Sequence, residues 1–216
     1  MPAPGVRESF LLHNLLPSAS CLKSMTTETH PWAPFIPEGA KVLVMGTFPP
    51  KPARWSMDFY YPNRINDFWR VMGLVFYDNP DRFYNPATKT FLLDDIKTLL
   101  TERGIAMGDT GAEVRRLRDN ASDKYLEIVR PVDLPGLLAE MPHCHTVATT
   151  GEKAAGVIAE LTGTEIPKIG TDTVAPAYAG RELHIWRMPS TSRAYPLPLA
   201  DKAAYYARLF RSVDLL

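Results

Sequence analysis

Seven stretches of the chain carry a regular hydrophobic pattern. "KVLVMGTF" (Lys41 to Phe48) is apolar and β-branched on successive positions, as in a strand covered on both faces of a parallel sheet. After Asn63, "INDFWRVMGLVF" places Ile65, Phe68, Trp69, Met72 and Val75 at helical spacing, so a helix is expected to start near Asn63 or Asn66. "TKTFLLDDIKTLLTERG" reads as an amphipathic helix closed by Arg103 and Gly104, and "GIAMGDTGAEV" as a short strand whose end carries Asp109. "HTVATTGEKAAGVIAELTG" is the clearest strand, glycine turn and helix, with the helix at about 152–161. "ELHIWRMPSTS" repeats the pattern, its strand stopping at Pro189, and "PLADKAAYYARLFRSV" reads as a final helix.

Strands that alternate with helices predict an α/β fold, a three-layer α/β/α sandwich around a mostly parallel central sheet. The 216 residues, 45% hydrophobic and 22% charged, suit one domain with a large core. Residues 1–40 are rich in Pro, Ser and Thr, and Met25 could itself be a natural beginning. A flexible or extension segment is therefore expected at 1–28, ahead of a single domain at 29–216.

Composition narrows the partners. No apolar run reaches the length of a membrane span and no leader pattern opens the chain, so a cytoplasmic location is expected. Cys21 and Cys144 are the only cysteines, too few for a disulfide framework or a cysteine metal cluster. His30, His143, His145 and His184 lack metal-ligand spacing, so neither metal nor cofactor is expected. A net charge of zero argues against wide coating of nucleic acid but allows a local basic stripe.

Ligands of open parallel sheets bind beyond the carboxyl ends of the strands. Four such ends are Gly46-Thr47-Phe48-Pro49-Pro50, Gly108-Asp109-Thr110-Gly111, Thr149-Thr150-Gly151-Glu152-Lys153 and Met188-Pro189-Ser190-Thr191-Ser192-Arg193. Each alone has an ordinary structural reading. Gly-Thr-Phe-Pro-Pro serves equally as a rigid strand exit, Asp109 as a cap or turn residue, and Asn66 as a helix cap. "TTGEKA" lacks the full Walker spacing, and there is no G-x-S-x-G elbow.

Together, "GTFPP", "FYYPNRINDFW" and "MPSTS" resemble the motif set of the uracil-DNA glycosylase superfamily, closest to its mismatch-specific and hypoxanthine-DNA glycosylase branches. Gly46, Pro49, Tyr60, Tyr61, Asn66, Phe68 and Trp69 match motif one. Pro189, Ser190, Thr191 and Ser192 match motif two, and the likeness covers roughly residues 30 to 212. Two positions depart from it: Phe48 stands where the mismatch-specific branch has a water-positioning asparagine, and Pro50 replaces a glycine.

The resemblance implies a monofunctional DNA glycosylase, a monomer, acting in base excision repair on DNA with a deaminated or mismatched base. It would flip uracil or hypoxanthine into a pocket and hydrolyse the N-glycosidic bond. The pocket would be formed by Gly46, Thr47, Phe48, Pro49, Tyr60 and Tyr61. Asn66 is the first candidate to orient the water and Asp109 the second, as a general base. Lys51, Arg54, Arg64 and Lys153 would hold DNA together with Pro189, Ser190, Thr191, Ser192 and Arg193, and Arg193 or Tyr195 would fill the gap left by the flipped nucleotide. The rival expectation is a catalytically idle member of the fold that binds nucleic acid or a modified base without cutting it.

Overall fold

The computed structural model describes residues 26–117 and 123–216. Most of the segment expected at 1–28 lies outside the described residues, and the chain is already in a strand at Thr27. In chain order the strands are β1 (Thr27–Thr29), β2 (Val42–Gly46), β3 (Tyr84–Asn85), β4 (Thr90–Phe91), β5 (Ile105–Asp109), β6 (Gly111–Arg116), β7 (Leu126–Pro131), β8 (Thr146–Thr150), β9 (Asp172–Tyr178) and β10 (Arg181–Met188). The helices are α1 (Phe68–Tyr77), α2 (Leu93–Arg103), α3 (Leu134–Ala139), α4 (Glu152–Thr162) and α5 (Leu199–Ser212).

The central sheet has the order β5-β2-β8-β10-β9, in which only β9 runs antiparallel to its neighbour. Its core strands read as continuous apolar runs because both faces are covered. Along β2, Val42 and Val44 face one cluster while Leu43 and Met45 face the other. The first cluster holds the apolar stripes of α1, α2 and α5, through Phe68, Trp69, Ile96, Leu99, Tyr206 and Phe210. The second holds Leu134, Leu137 and Leu138 of α3 and Ile158 of α4. The result is the expected three-layer α/β/α sandwich.

Three local expectations change. Helix α1 begins at Phe68, and Ile65 is 50% exposed in the loop before it rather than on the buried stripe. The segment expected as one helix from Thr88 begins with a small hairpin, β3 with β4, before α2. "GIAMGDTGAEV" is two strands rather than one. Thr110 separates β5 from β6, which leaves the central sheet and pairs with β1 and β7 in a second, antiparallel sheet. That second sheet is held by cross-strand ion pairs, Arg115 with Glu127 and Arg130 with Glu113. Among the described residues, no helix is long and apolar enough to cross a membrane.

Candidate functional site

The parallel register brings the strand ends level. Gly46 pairs with Asp109, Met45 with Thr149 and Met188 with Thr150, so Asp109, Gly46, Thr150 and Met188 end their strands along one edge. Beyond that edge lies a cavity of about 660 Å³. Its floor includes Gly46, Asp109 and Thr150. One wall is the Thr47–Pro50 strand exit, a second the Tyr61–Asn66 loop, and a third the loop from Ser190 to Pro196.

The first wall is pinned through its carbonyl groups. Gly111 N–H donates to Thr47 O at 3.0 Å, Arg116 Nη2 to Pro49 O at 2.8 Å, and Trp55 Nε1 to Pro50 O at 2.7 Å. Prolines suit such an exit because they fix φ and need no backbone donor partner. Phe48 lines the cavity rather than plugging it. The His30 ring meets it edge-on at 5.3 Å between centroids, and the Arg116 guanidinium lies 5.6 Å from its ring centre. Arg116 is itself paired with Glu28 at 2.9 Å.

Tyr61 takes a left-handed backbone, φ 52°, which is costly for an aromatic residue and which its contacts stabilise. Its ring stacks on Phe68 at 3.9 Å, and its hydroxyl is 2.6 Å from Thr150 Oγ1. Tyr60 turns the other way. It is 1% exposed, donates to Ala33 O and stacks on His30, so it belongs to the core and not to the cavity lining.

The other two walls are tied to each other. Asn66 forms an isolated bridge with Ser192, and Asp67 N–H donates to Thr191 O at 2.8 Å. Asn66 lines the cavity, and its Oδ1 accepts from Phe68 N–H at 2.9 Å. Asn66 therefore stands one residue ahead of the N-cap, Asp67, and this Asx-type hydrogen bond, rather than the expected helix cap, fixes its side chain at the cavity. Behind it, Asp67 receives Lys202 Nζ at 3.0 Å, Arg193 Nε at 3.2 Å and Arg70 Nη1 at 3.4 Å. Lys202 is fully buried and also donates to Ser192 O at 3.0 Å. Burial by itself pushes the Asp67 carboxyl up, but the hydrogen bonds and charges of Lys202 and Arg193 outweigh it and hold it below the ordinary carboxylate range.

Asp109 sits between β5 and the second sheet with its side chain 7% exposed. Its Oδ2 lies 2.9 Å from His30 Nε2. Desolvation raises its pKa, partly offset by the His30 hydrogen bond and charge and by a Gly46 backbone hydrogen bond. Only glycine fits at position 46, since an added Cβ would come within 2.6 Å of Asp109 Oδ1 and 3.0 Å of the Tyr61 hydroxyl. Gly46→Ala is accordingly expected to displace both groups and lower stability by about 1–3 kcal/mol, read as a fall in Tm by thermal melting.

Of the residues proposed from the sequence, Gly46, Thr47, Phe48, Pro49, Tyr61, Asn66, Asp109, Arg54, Ser190, Thr191, Ser192 and Arg193 line the cavity. Lys51, Arg64, Lys153 and Pro189 do not. Pro189 is buried, with its carbonyl accepting from the Tyr206 hydroxyl at 3.2 Å. His30, Asp67, Arg116 and Lys202 are additions made by the structure, and Thr150, expected only as part of a strand end, joins the cavity floor. Only Lys202 left a trace in the sequence: it shares the spacing of Ala203, Tyr206, Leu209 and Phe210, a charge on an apolar stripe that signals a buried partner. Among the described residues, no group of three or more His, Cys, Asp or Glu could hold a metal ion.

No protein-family profile matches the chain, and no curated protein matches it. Among solved structures it is similar to the solution NMR structure of a "putative Uracil DNA glycosylase" from Methanosarcina acetivorans, with 18% sequence identity and a TM-score of 0.58. The match covers 88% of this chain and 99% of that one, so the three-layer α/β/α architecture described above is the fold of that neighbour.

Proposed function

We propose that the protein is a DNA glycosylase that hydrolyses the N-glycosidic bond of a deaminated base, uracil or hypoxanthine, turned out of the stack into the cavity. The observation that carries this reading is the placement of Asp109 and Asn66. Asp109, with its side chain buried, and Asn66, with its side chain held by the Phe68 N–H, line one cavity between two loops that meet at the carboxyl edge of the sheet. An idle binding protein would not need a carboxyl buried at energetic cost in its pocket.

In this reaction water attacks the sugar C1′ while the C1′–N bond breaks. The bonding electrons leave on the base, and the sugar passes through a cationic state. The attacking water must lose a proton as it bonds, and the Asp109 carboxylate is the acceptor for it. The Asn66 amide orients that water. Phe48 and Tyr61 offer aromatic surface to the base, and the pinned Thr47–Pro50 exit forms a wall that need not reorganise around it. Arg54 and the Ser190–Arg193 loop lie at the cavity, where the flanking phosphates would pass. Lys51, Arg64 and Lys153, which do not line the cavity, would add cationic contacts to the DNA outside it.

Base release from single- and double-stranded oligonucleotides carrying uracil, hypoxanthine, xanthine or mismatched thymine tests the reading. Release of a deaminated base with an abasic product is expected; no release from any of them at high enzyme concentration would refute it. Asn66→Asp keeps the oxygen that accepts from Phe68 N–H and removes the amide donor. It is expected to slow release on the order of 10²-fold with little change in Tm.

A further inference from the structure

We propose that His30 is a positioning residue for the reaction: it holds the Asp109 carboxyl with Oδ2 engaged and Oδ1 turned toward the cavity floor beside Gly46 and Tyr61. This rests on the glycosylase reading above and adds to it a residue from outside both motif loops, delivered by the chain just after β1.

The geometry is that of an oriented pair. His30 Nδ1 lies 2.8 Å from Trp32 O, to which it can donate, and 3.2 Å from the Trp32 N–H, from which it can accept, so either tautomer is held at this end of the ring. The opposite nitrogen, Nε2, then faces Asp109 Oδ2 at 2.9 Å, and one proton lies between them, carried either by the imidazole or by the carboxyl. The ring cannot easily turn away. It stacks on Tyr60 at 5.7 Å, meets Phe48 edge-on at 5.3 Å and Trp32 at 5.7 Å, and its side chain is 11% exposed. Asp109 Oδ1 in turn occupies the space that a side chain at position 46 would fill.

Other ionisable groups packed around the pair do not replace this role. Tyr60 approaches from the aromatic loop as a neutral phenol, its pKa raised by burial and by Asp109. Tyr61 hydrogen-bonds to Thr150, and Arg116, on β6, is committed to Glu28 and Pro49 O. His30 is the side chain that contacts the Asp109 carboxyl directly, at 2.9 Å. With the proton on Nε2, this hydrogen bond stabilises the charge of Asp109 despite its burial, and a proton taken from water at Oδ1 leaves a neutral carboxyl still held at Oδ2.

Two variants test the proposal in the full chain. His30→Phe keeps an aromatic ring against Tyr60 and removes both nitrogens, and His30→Gln keeps a donor near the carboxyl. The Asp109 carboxyl is followed directly by ¹³C NMR in protein with labelled aspartate, alongside the pH dependence of base release.

In His30→Phe the Asp109 titration is expected to move up by about 1–3 pH units, and the rising limb of the pH–rate profile to move with it. Activity on the acid side would fall by about 10- to 1,000-fold and recover as pH rises, and His30→Gln would restore part of the loss. An Asp109 titration unchanged in both variants overturns the proposal and leaves the glycosylase reading standing. A titration that moves while the rate profile stays in place shows that the pair forms but does not serve the reaction, which overturns His30 as a positioning residue. Absence of base release by the unmodified protein overturns the functional reading instead, while the NMR titration still reports on the pair.

Discussion

Asp109→Asn is expected to lower the rate of base release by roughly 10²–10⁴-fold, the range typical for loss of a general base. The substitution preserves shape and volume but cannot accept the proton that water gives up. It also removes a carboxyl whose ionisation the fold disfavours. A carboxyl whose folded pKa exceeds its unfolded one adds stability only while it is protonated, and that contribution is lost as pH rises through the folded value. The variant should therefore melt no earlier than the parent at neutral pH, separating loss of chemistry from loss of fold. With Asp109 as the proposed base, only the ionised form of the parent protein would be competent. The rate should rise with pH, and the midpoint should stand above the ordinary aspartate value of about 3.9. A profile that is flat from pH 4 to pH 8, or an Asp109→Asn variant with undiminished rate, would exclude Asp109 as the base.

Asp67→Ala is expected to produce the largest loss of stability, about 3–5 kcal/mol. It leaves Lys202 buried with only Ser192 O as an identified partner and strips the tether from Arg193. For a domain of this size that corresponds to a fall in Tm of roughly 6–20 °C by calorimetry or circular dichroism. Because the two groups form one unit, adding Lys202→Met to Asp67→Ala should cost much less than the sum of the single changes. The same carboxyl sets an acid limit. Its folded pKa is depressed, so its contribution is present above the unfolded value near 3.9 and is lost as pH falls through the lower folded value. Unfolding should therefore set in below about pH 4 in the parent and lose much of that acid sensitivity in a folded Asp67→Ala, Lys202→Met protein.

The architecture was legible wherever burial writes a period into the chain. β2, β8, β10 and the helices α1, α4 and α5 follow apolar patterning because each buries a full face or stripe. The second sheet was not legible for the same reason. β1 is Thr-Glu-Thr, and β6 and β7 meet through Arg–Glu pairs, so no apolar alternation marks them. Within the site, the two loops and their lining residues could be anticipated because the chemistry lies in contiguous stretches. The groups that orient it could not: His30 lies 79 residues from Asp109, and Asp67 lies 135 from Lys202. Tyr60 shows the converse limit. It adjoins Tyr61 in the same aromatic run, and the left-handed turn at Tyr61 sends one ring to the cavity and the other to the core.

The buried Lys202 also fixes when, during synthesis, the site can exist. Both loops that it joins are translated before it, yet the contact that clasps them comes from α5, which follows every other element described. A ribosome-bound chain that has emitted the sheet and both loops still lacks the clasp. The two walls would then be fastened to each other only as the last described helix docks.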